Sequence, residues 1–339
     1  MPAILTHDFF GRDAYPAVAS QLGLDSLDEF DAFLLGNQGP DPLFYLVADP
    51  LADKRNRIGS LMHRARPAKL LCSLHDALSM LACNERRVGE AYAAGFLCHY
   101  LLDRSIHPLV FANEYGICDA GIEGLDRSNG SEVHAEIERD FDEMVLFSKT
   151  GKTVEDYRPY REVLNASDET LATIDKLFFY MGLWTYSRTL DLDCYSRATR
   201  SFRRMQRLFF SPNMGKARVL APIERTLGHK RYSLYVAMAH RPRAEKVSAF
   251  DNHAHRVWEN PFTDDEKGSE SFWDLYEEAL GQVFDAEATF FSPEFADGEA
   301  LELTGGLNFS GRPTDPDDLE GPTDASGEDA ASGGATTKW

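Results

Sequence analysis

The chain has 339 residues, about twice the ~150 of an ordinary domain, so its length admits one large domain or two smaller ones. Apolar residues make up 43% and charged residues 27%, a globular balance that excludes wholesale disorder. Thirty-five Lys and Arg against 55 Asp and Glu leave a net charge of -20, a field that repels DNA, RNA and anionic lipid and weighs against nucleic acid as a main partner.

The first residues, MPAILTHDFFGRDAY, carry no basic n-region, and His7, Asp8, Arg12 and Asp13 break the apolar run that a secretory signal needs. No later stretch reaches the ~18 uninterrupted apolar residues of a membrane-spanning helix, so a soluble, cytoplasmic protein is expected. Apolar residues recur at three- and four-residue intervals with almost no alternation. That pattern predicts helices over residues 26–36, 57–81, 87–107, 131–147, 154–163, 168–189, 192–209, 214–227, 229–239, 246–257 and 269–289. Breaks are expected at GNQGPDP (36–42), at His107-Pro108 and at NPFTDD (260–265). With no repeat period, residues 1–303 read as a single all-α, multi-helix domain, and the whole chain's 22 Phe, 13 Tyr and 4 Trp argue for a packed helical interior. From about Thr304, Gly, Pro, Asp, Ser and Thr replace aliphatic residues, and 304–339 reads as an acidic disordered tail with no catalytic part. The five cysteines (72, 83, 98, 118 and 194) form no C-x-x-C pair, so reduced, buried thiols are the simplest reading.

The chemistry concentrates in AYAAGFLCHYLLDRSIHPLV, residues 91–110, where His99, Asp103 and His107 recur at i, i+4 and i+8. On a helix this spacing lines the three side chains along one face, with neighbouring Cβ atoms about 6 Å apart. Imidazole nitrogen and carboxylate oxygen are the donors that zinc and similar cations accept. A second pair follows in SEVHAEIERDFDEMV, where Ser131 is a plausible N-cap and His134 and Glu138 are again four apart. For one such pair a hydrogen-bonded core histidine or a surface ion pair is the commoner explanation; five residues on two helices favour ligands. Upstream stand His7 in ILTHDFFG, Asp41 in the turn LLGNQGPDPLFY and His63 in GSLMHRAR, each weak alone.

In order, His…Asp…His…HxxxDxxxH…HxxxE resembles the zinc-dependent phospholipase C family, which shares its all-helical fold with the P1/S1-type nucleases. The resemblance covers roughly residues 1–150 and is most specific at HYLLD and HAEIE, with His107 between them. It implies that Asp41, His63, His99 and Asp103 hold one ion and that His107, His134 and Glu138 hold a second. It also implies that Asp103 bridges towards a third ion whose remaining ligand is His7. The secreted enzymes complete that third ion with an N-terminal Trp, whereas this sequence begins Met-Pro-Ala. The family places its next histidine six residues after the Asp and behind a Pro; here His107 follows after four and precedes Pro108, and the gap to His134 is longer. Two or three Zn2+ ions are therefore expected, in a divergent intracellular branch, and the same donors accept Fe, Mn or Ni.

The resemblance implies a metal-dependent phosphoric ester hydrolase. Bound ions lower the pKa of water from 15.7 towards ~7 and hold phosphate oxygens, while Asp41 orients or deprotonates the attacking water. Bulk acidity opposes adsorption to anionic membranes, so a zwitterionic phospholipid or a small soluble diester is the expected substrate. A nuclease-like phosphodiesterase and a non-catalytic, metal-stabilised helical binding protein are the alternatives. The sequence carries no signal of oligomeric state. Arg197, Arg200, Arg204 and Arg207 read as a solvated face paired with carboxylates, His253 and His255 as a weak H-x-H, His75 as structural, and Cys98 as core.

Overall fold

The computed structural model describes residues 3–49, 57–228, 232–263 and 267–322. Thirteen α-helices among them run α1 (Ile4–Leu22), α2 (Leu27–Gly36), α3 (Ile58–Arg64), α4 (Pro67–Leu78), α5 (Arg86–Cys118), α6 (Gly130–Thr150), α7 (Pro159–Glu162), α8 (Asp168–Tyr186), α9 (Cys194–Phe209), α10 (Gly215–Gly228), α11 (Leu234–Met238), α12 (Phe272–Phe290) and α13 (Asp297–Thr304). A 3-10 helix, Asp41–Ala48, follows α2, and the strands among the described residues are one antiparallel ribbon, Trp258–Glu259 against Lys267–Gly268. The fold is all-α, and no helix among the described residues is long and apolar enough to cross a membrane.

Local chemistry starts several of these helices. Ser26 caps α2, accepting from Glu29 N at 3.2 Å while the Glu29 carboxylate takes Ser26 N at 3.1 Å; Ser271 caps α12 in the same reciprocal way with Asp274, and Ser167 caps α8 by accepting from Thr170 N. The 33-residue α5 is the axis, apolar on nearly every side, with Tyr92, Phe96, Cys98 and Tyr100 wholly buried under α1, α2, α6, α8 and α12. Its crossing with α2 is a glycine-on-glycine contact. A Cβ on Gly36 would stand 2.2 Å from Tyr92 O, and one on Gly95 would stand 2.0 Å from Phe33 O, so only glycine lets the two backbones meet.

Several expectations need correction. The helix expected over 57–81 is two, because Arg66 adopts a left-handed φ of 54° before Pro67, which opens α4. The break expected at His107-Pro108 does not occur, and α5 continues to Cys118. Pro108 leaves the Arg104 carbonyl without its helical donor, and Gly311 packs against both, covering the flaw. Over 246–257 there is no helix: Asp251 accepts from the backbone N–H groups of Ser248 and His253, and Asn252 and His255 take positive φ. Of 154–163 only Pro159–Glu162 is helical, and Asn129, not Ser131, precedes α6. Neither α1 nor α13 was expected.

The tail assigned from Thr304 does not begin there. Leu307 bridges Pro313, Tyr100 Oη donates to Leu307 O at 2.7 Å, Asn308 donates to Arg64 O at 3.2 Å, and Phe309 is 1% exposed. One buried aromatic and a β-bridge anchor a segment whose average composition resembles a linker. Residues 323–339 lie outside the described residues.

Candidate metal centre

All eight expected side chains meet in one buried pocket, and α5 supplies its spine. His99 Nε2 lies 3.2 Å from Asp103 Oδ2, and His107 Nδ1 lies 3.6 Å from Asp103 Oδ1, as the four-residue spacing requires. His7 reaches Asp103 Oδ1 from α1 at 3.0 Å, and His63, in the last turn of α3, lies 4.0 Å from Asp103 Oδ2. Asp41, the first residue of the 3-10 helix, sits 2.9 Å from His63 Nε2. On α6, Glu138 Oε1 lies 3.4 Å from His134 Nε2 of the same helix and 3.6 Å from His107 Nε2 of α5. Donor atoms close to within 4.8 Å of one another in three groups, His7/Asp41/His99, His63/His99/Asp103 and His107/His134/Glu138. The last coincides with the expected second-ion set. The first two divide the other expected ligands around His99, with His7 also beside Asp41.

The outer hydrogen bonds fix which nitrogen faces inward. His63 Nδ1 donates to Gly59 O at 2.7 Å and His99 Nδ1 to Asn37 O at 3.1 Å. His107 Nδ1 donates to Asp103 O at 3.0 Å and Phe309 O at 3.1 Å, and His134 Nδ1 lies 3.0 Å from Glu114 Oε2. A backbone carbonyl only accepts, so Nδ1 carries the proton and Nε2 is left with its lone pair towards the pocket. His99 Nε2 and His134 Nε2 are buried without a hydrogen-bond partner, while carboxylate oxygens stand close by. Inward lone pairs, unpartnered buried nitrogens and three carboxylates suit a cation held by imidazole and carboxylate, with an outer shell already in place.

Burial pushes the Asp103 carboxyl up, but His99, His107 and His7 outweigh it and hold the group well below the usual carboxylate range. Burial opposes charge on the imidazoles too, yet Asp103 raises His7 and His107, and Glu138 and Glu114 raise His134 to about 10. A proton and any cation bound here would therefore compete for the same lone pairs. Side chains of His63 and His107 are 13% and 15% exposed, and they mark the side open to solvent.

No family model, curated protein or solved structure matches the chain.

Three contributors went unread in the sequence. Glu114 stands behind His134 and lies seven residues past His107 on the same helix. Asp142 continues the His134–Glu138 spacing by four, but turns to α1: its Oδ1 accepts from Leu5 N, Thr6 N and Thr6 Oγ1 at 3.0, 2.8 and 2.9 Å, and its Oδ2 lies 3.1 Å from His240 Nε2. A carboxylate on the first turn of α1 thus holds the helix that presents His7. Phe309 packs its ring on His63 and His99, at centroid distances of 5.1 and 5.6 Å, so the segment expected to be tail walls the pocket. Gly39, at φ +48°, passes so near His99 that a Cβ there would lie 2.2 Å from the ring.

The remaining candidates lie elsewhere. His253 pairs with Asp251 and His255 with Asp274 on the surface, and His75 packs on Phe290 and Phe295. Cys98 is buried on the far side of α5, 3.9 Å from Glu287.

Proposed function

We propose that the chain is a metal-dependent phosphoric ester hydrolase of phospholipase C type, with a multi-helix fold related to the P1/S1 nucleases and two or three divalent cations, zinc foremost. The convergence of His7, His63, His99 and His107 on the single carboxylate of Asp103, beside His107/His134/Glu138, carries this reading. When bound, such cations lower the pKa of water and neutralise charge on a phosphate. The protein's own part is to orient these donors through backbone acceptors, to admit a phosphate from the exposed His63–His107 side, and to exclude bulk water with Phe309 and Phe44. Asp41 orients the attacking water and takes its proton; its carboxylate stands 2.9 Å from His63 Nε2. The substrate is a phospholipid or a small soluble diester. Four of the five cysteines are buried and all are unpaired, which suits a reducing cytoplasm.

The test is metal analysis of purified protein together with hydrolysis of bis(4-nitrophenyl) phosphate, before and after chelation and zinc restoration. Bound metal at two equivalents or more, chelator-sensitive turnover and loss of turnover in Asp41→Asn are expected. Tightly held metal without turnover would instead favour the metal-stabilised binding protein. Turnover that survives complete metal removal would overturn both.

A further inference from the structure

The chain is acidic overall, with 55 Asp and Glu to 35 Lys and Arg, but residues 194–228 hold eight Lys and Arg and one acidic residue, Glu224. These residues form α9, α10 and the turn between them. Glu224 is spent internally: its carboxylate accepts from the Ser233 hydroxyl and from the backbone N–H groups of Leu234 and Tyr235, so it caps α11. At the start of α9, Arg197 pairs with Asp49 at 2.7 Å and Arg200 with Asp168 at 2.8 Å. Beyond Arg200 the expectation of paired arginines fails. Arg204, Arg207, Arg218 and Arg225 are exposed, and among the described residues no carboxylate pairs with them.

Apolar side chains stand among these charges. Val219 and Ile223, four apart on α10, are 62% and 51% exposed, and Leu208 in the last turn of α9 is 40% exposed. The opposite face of α10 is seated, with Ala217 and Ala221 buried, so the helix is anchored and its outer face is a surface of the protein. Lys216 Nζ donates to Arg207 O at 2.8 Å and to Phe210 O at 2.9 Å, tying the start of α10 to the end of α9.

We propose that this α9–α10 surface docks on the anionic leaflet of a phospholipid bilayer, with the four arginines at the headgroups and Leu208, Val219 and Ile223 in the interface. A bilayer matches both features at once, because exposed aliphatic side chains gain by leaving water and unpaired guanidiniums meet lipid phosphate and carboxylate. A nucleic acid backbone matches only the charge: α9 and α10 expose no aromatic ring on which a base could stack, since Phe209 is buried and Phe210 half-buried. The net charge of -20 does not forbid this contact, because at physiological salt the Debye length is about 8 Å and the charges nearest the leaflet decide. The inference stands apart from the hydrolase reading, and binding is measured without turnover.

The experiment is flotation of the full chain with large unilamellar vesicles of pure phosphatidylcholine or of phosphatidylcholine with about one-quarter phosphatidylserine. Affinity for the anionic vesicles should be at least about tenfold higher, and should fall steeply between about 0.1 M and about 0.5 M salt. The variant R204E/R207E/R218E/R225E should lose about tenfold or more of that affinity, and V219S/I223S should lose several-fold at unchanged salt slope. Far-ultraviolet circular dichroism confirms folding of both, and the serine variant keeps the test open should the charge reversals misfold. Equal or absent binding to the two vesicle types, or retention of wild-type affinity in both variants, would overturn the proposal. So would binding of a labelled oligonucleotide, abolished by the charge reversals, in a protein that ignores vesicles.

Discussion

Glu287 offers a quantitative test of the packing behind the centre. It sits on α12 with no solvent exposure, its Oε2 has no hydrogen-bond partner, and the Cys98 thiol on α5 donates to its Oε1 at 3.9 Å. Burial raises its pKa from the ordinary 4.5 to about 8, so at neutral pH the folded protein holds it protonated. The unfolded chain releases that proton near 4.5 and the folded chain only near 8, so folding binds a proton in between. Stability is therefore full below the lower value, declines as pH rises through the window, and levels off above the upper one. At about 1.4 kcal/mol per pKa unit the whole interval is worth about 5 kcal/mol, of which about 3–4 kcal/mol is lost between about pH 5 and about pH 8. Glu287→Gln keeps the shape and removes the titration. Urea unfolding of both proteins across that range should show the variant gaining on the wild type by about 3 kcal/mol from the acidic to the basic end. Every other titrating group is common to both chains, so the difference isolates this residue. Parallel pH profiles would mean that Glu287 is ionised in the fold and that the reasoning fails.

Other expectations follow from the same geometry. Gly95→Ala drives a methyl to 2.0 Å from Phe33 O and should cost about 3 kcal/mol, whereas Gly116→Ala, on the same helix with open space around it, should be neutral or stabilise by up to about 1 kcal/mol; thermal melting of the pair separates packing from helix propensity. Glu114→Gln replaces the carboxylate behind His134 and should weaken zinc binding by roughly 10- to 100-fold, read by competition with a chromogenic chelator, with little change in the melting of the chelated protein. Phe309→Ala should cost about 3–5 kcal/mol and weaken metal retention too, since the ring packs on two of the histidines; a tail with no structural part would show neither effect.

The proximity of the donors on α5 and α6 was legible because i, i+4 spacing puts side chains on one helix face whatever the rest of the chain does, and His99, Asp103, His107, His134 and Glu138 needed only that rule. Asp41, His63 and His7 are weak candidates on their local sequence, and only the family resemblance joins them, since nothing local brings a turn, a short helix and the first helix into one pocket. Long-range chemistry hid the rest. The first turn of α1 is held by Asp142, 137 residues from Leu5, so no local cap marks where that helix starts. Pro108 signalled a break that burial of α5 and the covering Gly311 override. Phe309 stands alone among turn-forming residues, and its role depends on which pocket it closes.

The protonation pattern bears on why such a pocket would hold metal. His63, His99 and His107 send Nδ1 protons outward to backbone carbonyls, which have no proton to return, and Glu114 draws His134 the same way. Each inward Nε2 then has two ways to meet the carboxylates it faces: take a second proton and become an imidazolium, or keep its lone pair and share a cation with them. The first alternative crowds charged rings together, with His107 and His134 centroids 5.6 Å apart and His63 and His99 centroids 5.9 Å apart, and like charges at that range repel in a buried site. A divalent cation held by the inward Nε2 atoms and the carboxylates would supply the balancing positive charge without a second proton on any ring, and would leave every outer hydrogen bond intact. Because the outer acceptors are main-chain atoms of Gly59, Asn37, Asp103 and Phe309, side-chain substitution elsewhere cannot easily reverse the imidazole orientation, which ties the inward lone pairs to the fold itself.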